Sequence, residues 1–359
     1  MKKILITLRD ITETGGGERV CANLSNALSE YYEIKIISFH KKENHITYDL
    51  NPNIQVEYLS CGAQRAENLF KRFFNKTILR VILSLKASAR IKKYNPDIVF
   101  CNDGTFMPIF KTKGVRYLRL WHLIAPKKRK KVFGRYDALV VLSSKQIDKW
   151  KQYHDNIKVI PNFISITPQS CTNYHQKVVL SVGRMDNGDQ KGFFRLIDIW
   201  QKVQEDKSLA DWKLVVVGNG ERKGELEEKI MRCNLSDTIT IKPFTDKISE
   251  EYLQSSIYAM SSKFEGMPMV LIESSLHGLP AVSFNINTGP SDIISNGESG
   301  FLISDGDIDG FASKLQILMH DDSMRQNFGI RSKEIAASKF SKERVIGMWS
   351  ELFDELLSS

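Results

Sequence analysis

The chain has 359 residues, 42% apolar and 26% charged, a globular composition long enough for two domains of ~100–200 residues each. That balance excludes a disordered chain, a collagen-like fibre and a small disulfide-stapled scaffold. No apolar run approaches the ~18 residues that span a bilayer. The apolar stretch after Lys2-Lys3 is also shorter than the ~7–15 residues of a signal-peptide core, so a cytoplasmic protein is expected. The five cysteines are odd in number and have neither metal-ligand nor redox spacing, and the histidines form no HExxH, so reduced thiols and no zinc are expected.

Net charge is +9 and unevenly placed. Residues 1–170 carry 30 Lys and Arg against 14 Asp and Glu, a net of +16, and residues 171–359 carry 21 against 28, a net of −7. Two basic clusters stand out, Lys71–Lys93 and Lys127–Lys131. The first interleaves its cations with Phe70, Phe73, Phe74, Ile78, Leu79, Ile82, Leu83 and Leu85. A basic amphipathic helix of this kind either lies in an anionic membrane interface or packs on a core with a solvated basic face. No helix-turn-helix, RNA-recognition or zinc-finger signature accompanies the charge, so nucleic acid is not an expected partner.

In chain order, Lys3–Leu8 reads as a strand, followed by a glycine turn and a helix from about Glu18 to Leu28. Further strands follow at Ile34–Ser38, Ile54–Tyr58, Ile98–Cys101, Arg116–Leu120, Ala138–Leu142 and Lys158–Ile160. Ile164–Gln176 is polar and reads as a linker. A second series has strands at Val178–Val182, Lys213–Val217, Thr238–Ile241, Ser256–Met260 and Ala281–Phe284. Its helices fall at about Phe193–Gln204, Gly224–Cys233, Ser249–Leu253, Val270–His277 and Gly310–His320, and a last helix spans about Lys342–Leu357. Short β-rich runs alternating with helices predict an α/β chain of two doubly wound parallel sheets, with a cleft between the domains. The domains are expected at 1–168 and 169–340, with the helix of 341–359 packing on either one.

Three stretches carry chemistry. In SSKFEGMPMVLIES, a strand leads through a loop to Pro268 at the first turn of a helix. Glu265 then stands in the loop and Glu273 on the helix, with backbone N–H groups near Met269–Leu271 as an anion site. A loop acid suits sugar hydroxyls and a helix acid suits a ribose diol. In SVGRMDNGDQKGF, Arg184 and Lys191 follow a strand, with Gly183 and Gly192 allowing close approach; two such cations suit a diphosphate. Gly15-Gly16-Gly17 after the first strand lets backbone approach a ligand, although a bare tight turn is equally consistent. Neither this turn nor Gly218-Asn219-Gly220 has the GxGxxG spacing, so a nicotinamide cofactor is disfavoured. Asp305, Asp307 and Asp309 imitate half of a calcium loop, but its twelfth position is Gln316, so a helix cap at Asp307 or Asp309 is expected instead.

Together, GGGER, IPNFIS, GR…QKGF, VVGNGE, FEGMPMVLIE and TGPSDIISNGESGFL resemble the family 4 glycosyltransferases, across nearly the whole chain. These are nucleotide-sugar enzymes with the GT-B fold of two facing Rossmann-like domains. The resemblance implies that Arg184 and Lys191 bind the donor diphosphate together with Gly183, and that Glu273 binds the ribose. It implies that Glu265, Gly266, Met267 and Pro268, with Val270 and Leu271 beyond them, contact the transferred sugar and phosphates. It also implies that Gly16 and Gly17 face the donor phosphates, that His122 is the active-site histidine, and that Phe244 lies where the base is met. The chain departs from the pattern in two places. The Arg184–Lys191 loop is longer than in many members, and Pro290-Ser291-Asp292 replaces the usual acidic pair after the glycine turn. Both departures resemble members that build bacterial surface polysaccharides on lipid carriers.

The resemblance implies retention of anomeric configuration, no divalent metal and no resident cofactor. The donor would be a nucleotide-sugar, by family frequency a UDP-sugar carrying a hexose or N-acetylhexosamine. An acceptor on polyprenyl diphosphate would bring the protein to the inner face of the membrane, held through Lys71–Lys93 and Lys127–Lys131. The alternatives are a transferase of a soluble acceptor and a nucleotide-binding module without turnover.

Overall fold

The computed structural model describes residues 1–61, 78–123, 125–126, 128, 131–165, 168 and 170–358. The chain divides into two units, one of Met1–Asn162 with Lys342–Ser359, the other Phe163–Ser341. The division therefore falls at the start of the polar Ile164–Gln176 stretch.

In the first unit, seven strands form one parallel sheet: β1 Lys3–Leu8, β2 Glu33–Ser38, β3 Gln55–Tyr58, β4 Ile98–Cys101, β5 Arg116–Trp121, β6 Ala138–Val141 and β7 Ile157–Val159, in the order β3-β2-β1-β4-β5-β6-β7. In the second unit, β8 Val178–Val182, β9 Lys213–Val217, β10 Ile239–Lys242, β11 Ile257–Met260, β12 Ala281–Phe284 and β13 Gly300–Ile303 run in the order β10-β9-β8-β11-β12-β13, again all parallel. The central strands β1, β4, β6, β11 and β12 are almost wholly buried, as sheets covered on both faces require. Both sheets are doubly wound, with order reversing between β1 and β4 and between β8 and β11. The crevice outside the strand carboxyl ends at such a reversal is where ligands meet this kind of sheet.

Helices cover the sheets through apolar stripes. Gly16–Leu28 buries Val20, Cys21, Leu24, Ala27 and Leu28, and Phe193–Val203 buries Phe193, Leu196, Ile197, Trp200 and Val203, both at helical spacing. The last helix, Lys342–Ser358, belongs to the first unit. Its Trp349 stands edge-on to Phe100 at 5.2 Å and its Phe353 edge-on to Tyr32 at 5.5 Å. Ion pairs from Lys2 to Asp354 and from Lys158 to Glu355 fasten its end.

Besides short helical turns such as Ile147–Lys151, one strand and one long helix are absent from the sequence reading. Strand β13 (GFLI) is only four residues long and half-buried at Phe301 and Leu302, too short to stand out from its loop. The helix Asp322–Phe340 has only a weak apolar stripe, because Arg325, Gly329 and Ser332 are among its buried positions. Arg325 donates to the carbonyls of Leu318, Met319 and Tyr174 and lies 5.0 Å from the Trp212 ring. It thereby caps the C-terminus of the preceding helix Ile308–His320. At that helix's other end, Asp307 is the cap, accepting from the Gly310 N–H at 2.8 Å, and Asp305 pairs with Arg195 at 2.7 Å.

Of the basic stretch Lys71–Lys93, the described residues lie in or next to the helix Arg80–Tyr94. Arg80–Tyr94 buries Leu83, Ala87 and Ile91 and exposes Val81, Ile82 and Leu85 beside Lys86, Arg90, Lys92 and Lys93. It is thus a core-packing helix that also keeps an apolar and basic outer face. Residues 71–77 of the first cluster, and 127, 129 and 130 of the second, lie outside the described residues. Among the described residues no helix is long and apolar enough to cross a membrane. All five cysteines are free, and burial pushes the Cys21 and Cys101 thiols up to about 12.

Candidate active site

Two loops of the second unit meet at the reversal of its sheet. The loop after β8 holds Gly183, Arg184 and Lys191; the loop after the neighbouring β11 holds Ser262, Glu265 and Pro268. Lys191 Nζ lies 2.7 Å from Glu265 Oε1, and Ser262 Oγ donates to the same oxygen at 2.8 Å. Both partners of the ion pair are largely withdrawn from solvent, at 18% and 8% side-chain exposure, so the pair acts at lower dielectric than a surface bridge. Gly183 lies against the lysine stem: a Cβ there would stand 2.6 Å from Lys191 Cγ. Arg184 is exposed.

The loops are stitched by their own polar groups. Ser261 Oγ donates to the Lys191 carbonyl at 3.0 Å, and the Lys263 N–H to the Gln190 carbonyl at 2.8 Å. Gln190 Nε2 donates to the Phe264 carbonyl at 3.1 Å. Lys263 pairs with Asp189 at 2.8 Å while Asp189 caps the helix beginning at Phe193. Gly192 turns the chain at φ +67°, where a Cβ would collide with the Ser261 carbonyl. Arg195 reaches the carbonyls of Ser261 and Ser262 with its guanidinium 4.1 Å from the Phe284 ring. The Gly218-Asn219-Gly220 turn after β9 serves packing: the Met185 N–H donates to the Asn219 carbonyl at 2.9 Å, bringing backbone to backbone.

Pro268 precedes the helix Met269–Leu276 as its N-cap, one position earlier than the sequence suggests. The Leu271 N–H is spent on the Pro268 carbonyl at 3.0 Å; those of Met269 and Val270 have no acceptor within the helix. Thr288 Oγ1 donates to the Glu265 carbonyl, and Gly266 and Met267 are buried beside it. One helical turn on, Glu273 is buried and takes a hydrogen bond from Tyr252 Oη at 3.0 Å. His277 Nδ1 lies 2.8 Å from the Glu273 carbonyl, and burial holds the His277 pKa below its ordinary value. Asp292, in place of the expected acidic pair, accepts from the Gly289 N–H at 3.3 Å and caps the short helix Pro290–Ile293.

Phe244 is 67% exposed in the loop after β10, the loop that leads into the helix Ile248–Leu253 carrying Tyr252.

In the first unit, the expected residues follow β1 and β5, which lie on either side of β4 in the sheet. Gly16 and Gly17 open the helix after β1, and a Cβ on either would meet nothing within 4 Å. Glu18, in the same first turn, has its pKa raised by burial. His122 follows β5, whose last residue Trp121 is held edge-on to Trp150 at 4.9 Å and Phe133 at 5.8 Å. Asn102, at the end of β4, joins the two: its Oδ1 lies 3.2 Å from His122 Nε2, and its Nδ2 donates to the Gly17 carbonyl at 3.2 Å. Burial holds the His122 pKa below its ordinary value; Asp103 opposes that shift and Arg119 adds to it.

The sequence reading names Lys191, Glu265 and His122, but not the contact between the first two. It misses Ser262, Tyr252, Thr288 and Asn102, the side chains that hold them. Ser262 and Thr288 do lie inside quoted motifs, SSKFEG and TGPSD, whereas nothing local marks Tyr252 or Asn102. Among the described residues no three His, Cys, Asp or Glu side chains converge as metal ligands.

Comparison with known proteins decides the family. The description "Glycosyltransferase Family 4" matches residues 14–167, and "Glycosyl transferases group 1" matches residues 162–335. The chain belongs to the GT4-type GT-B glycosyltransferases. Among relatives of this glycosyltransferase, the amylovoran biosynthesis glycosyltransferase AmsD of Erwinia amylovora is 29% identical over 99% of this chain and 100% of its own. A Campylobacter jejuni protein is 24% identical over 96% of each chain. It is named GalNAc-alpha-(1->4)-GalNAc-alpha-(1->3)-diNAcBac-PP-undecaprenol alpha-1,4-N-acetyl-D-galactosaminyltransferase. Among solved structures, a TarM mutant of S. aureus in complex with fondaparinux, alpha-GlcNAc-glycerol and UDP superposes with a TM-score of 0.80 at 17% identity, covering 98% of this chain and 100% of that one. At that identity it speaks for the two-domain fold.

Proposed function

We propose that this glycosyltransferase moves a hexose or N-acetylhexosamine, with retention, from a UDP-sugar to a saccharide carried on polyprenyl diphosphate, in the assembly of a bacterial surface polysaccharide. The observation that carries the donor half of this reading is the pair of half-buried Lys191 and buried Glu265, 2.7 Å apart at the strand reversal. An ammonium with three donors keeps one on Glu265 and turns the others to the phosphates, where negative charge grows as the glycosyl bond breaks. Arg184 supplies the second cation and Glu273 holds the ribose diol. The Glu265 loop, through Gly266, Met267 and Pro268, meets the sugar, with the helix-end amides at Met269 and Val270 toward the phosphates. In the first domain His122 contacts the sugar and Gly16-Gly17 the phosphates. These cations stabilise the leaving diphosphate without a divalent metal. The leaving oxygen takes the acceptor hydroxyl proton as the new bond forms on the same face.

The acceptor half rests on the excess of cations over acids in residues 1–170 and on the exposed apolar and basic face of Arg80–Tyr94. Both suit a peripheral site on an anionic membrane surface, where each Lys or Arg contributes about 1 kcal/mol. The Campylobacter relative, whose name places its acceptor on PP-undecaprenol, supports the same direction.

The test is a panel of nucleotide-sugars with a polyprenyl-diphosphate-linked saccharide in excess EDTA, reading nucleoside diphosphate release and the configuration of the new linkage. The proposal expects turnover of a UDP-sugar with an axial donor bond conserved. Loss of activity in EDTA that a divalent ion restores, or an inverted product, contradicts it.

A further inference from the structure

We propose that Asn102 is a positioning residue that fixes His122 as the Nε2–H tautomer, presenting Nδ1 as a hydrogen-bond acceptor to a ligand hydroxyl. The assignment follows from hydrogen-bond bookkeeping. The Gly17 carbonyl can only accept, so the amide nitrogen of Asn102, 3.2 Å away, must be the group that faces it. The amide oxygen is thereby turned to His122 Nε2, at 3.2 Å, and an amide oxygen accepts only. Nε2 therefore carries the proton. A flipped amide would set Oδ1 against the Gly17 carbonyl, acceptor to acceptor, and Asn102 is only 3% exposed, too little for solvent to relieve that clash.

The ring is neutral at ordinary pH. Burial is the largest influence on it and disfavours the imidazolium; a hydrogen bond to the Asn102 backbone and the charge of Asp103 act against that shift, and Arg119 acts with it. With Nε2 protonated and the ring uncharged, Nδ1 holds a lone pair. A neutral imidazole so oriented accepts a proton from a hydroxyl, where an imidazolium would donate one. Asn102 also ties three strand ends together: the glycine turn after β1, its own position at the end of β4, and His122 after β5. The geometry of the turn is thus transmitted to the histidine through one amide.

The catalytic consequence rests on the reading of His122 as a sugar contact; the tautomer does not. The first experiment is therefore spectroscopic: long-range 15N–1H correlation of the histidine rings in the full-length protein, with His122 assigned by loss of its signals in His122→Gln. The wild type is expected to show Nε2–H with a bare Nδ1 at pH 7.5. Asn102→Ala should give mixed tautomers. Asn102→Asp, which sets a carboxylate on the same ring nitrogen, should raise the His122 titration midpoint by about 1–3 pH units. An Nδ1–H ring in the wild type, or a midpoint unmoved in Asn102→Asp, overturns the proposal. In turnover, Asn102→Asp should be depressed near neutrality and recover as pH rises past the new midpoint, over a range where the wild type is flat. A loss of activity with the wild-type pH profile points to mere structural damage and contradicts the acceptor role. Normal turnover by His122→Ala would remove the sugar contact and the acceptor role with it, while the ring spectra would still decide what Asn102 does.

Discussion

Lys191 and Glu265 owe their proximity to a third residue as much as to each other. A lysine ammonium withdrawn from water is held by a carboxylate that Ser262 also supports, so each group satisfies the other's desolvation. Lys191→Ala removes both the hydrogen-bond donor proposed for the phosphates and the partner of a buried carboxylate. It is expected to cut turnover at least about 100-fold and to lower stability by about 1–3 kcal/mol in urea denaturation. Arg184 is exposed, so Arg184→Ala should show a comparable kinetic loss with an unchanged urea midpoint. Equal stability losses in the two variants would argue that Lys191 is not held as described. Glu273 is fixed by Tyr252, and Tyr252→Phe leaves the ring in place while removing one hydrogen bond. It should raise KM for the nucleotide-sugar several-fold with little change in kcat; an unchanged KM would separate Glu273 from the donor. Among the supporting residues, Tyr252 and Asn102 carry no local signal. Tyr252 sits in EEYLQ, which reads only as part of a helix, and Asn102 reads only as the residue after a strand. Their roles come from which strands lie side by side, and short-range pattern does not encode that.

At the scale of elements, the parallel strands were legible because they are short, continuous and β-rich, and most observed ends agree within a residue or two. The helix Asp322–Phe340 escaped for a physical reason: its first half buries Arg325, Gly329 and Ser332, and only Ile335, Ala336 and Phe340 in its second half are apolar, so its hydrophobic periodicity is weak. Strand β13 escaped through brevity. The last helix was legible as a helix, but its partner was not, since an amphipathic stripe does not say which sheet it covers. Trp349 and Phe353 settle that by packing on Phe100 and Tyr32. Trp349→Ala is expected to cost about 3–5 kcal/mol, read as a fall in the urea midpoint. A cost below about 1 kcal/mol would mean that the helix contributes little to the first domain.

For the molecule as a whole, buried histidines set a pH dependence of stability. Burial lowers the pKa of His40, His122 and His277 from 6.5. Below that value the unfolded chain binds protons that the folded state resists, so their contribution is complete above pH 6.5 and lost as pH falls. His277 is the clearest case, because its Nδ1 faces the Glu273 carbonyl and its buried Nε2 has no partner among the described residues. The stability difference between wild type and His277→Gln should therefore shrink from pH 7.5 to pH 5.5, by at most about 1.4 kcal/mol per pH unit. A pH-independent difference would contradict it. The concentration of cations in residues 1–170 predicts a second global property. Co-sedimentation with anionic phospholipid vesicles should be strong at low salt and fall steeply as salt rises. Binding absent at low salt, or indifferent to salt, would remove the membrane from the account.

We propose that the loops after β8 and β11 hold a nucleoside diphosphate. Isothermal titration of the full-length protein with UDP tests it most directly. The account predicts binding that weakens at least about 10-fold in each of Arg184→Ala, Lys191→Ala and Glu273→Gln, about 1.4 kcal/mol or more apiece. Wild-type affinity in all three folded variants would contradict it.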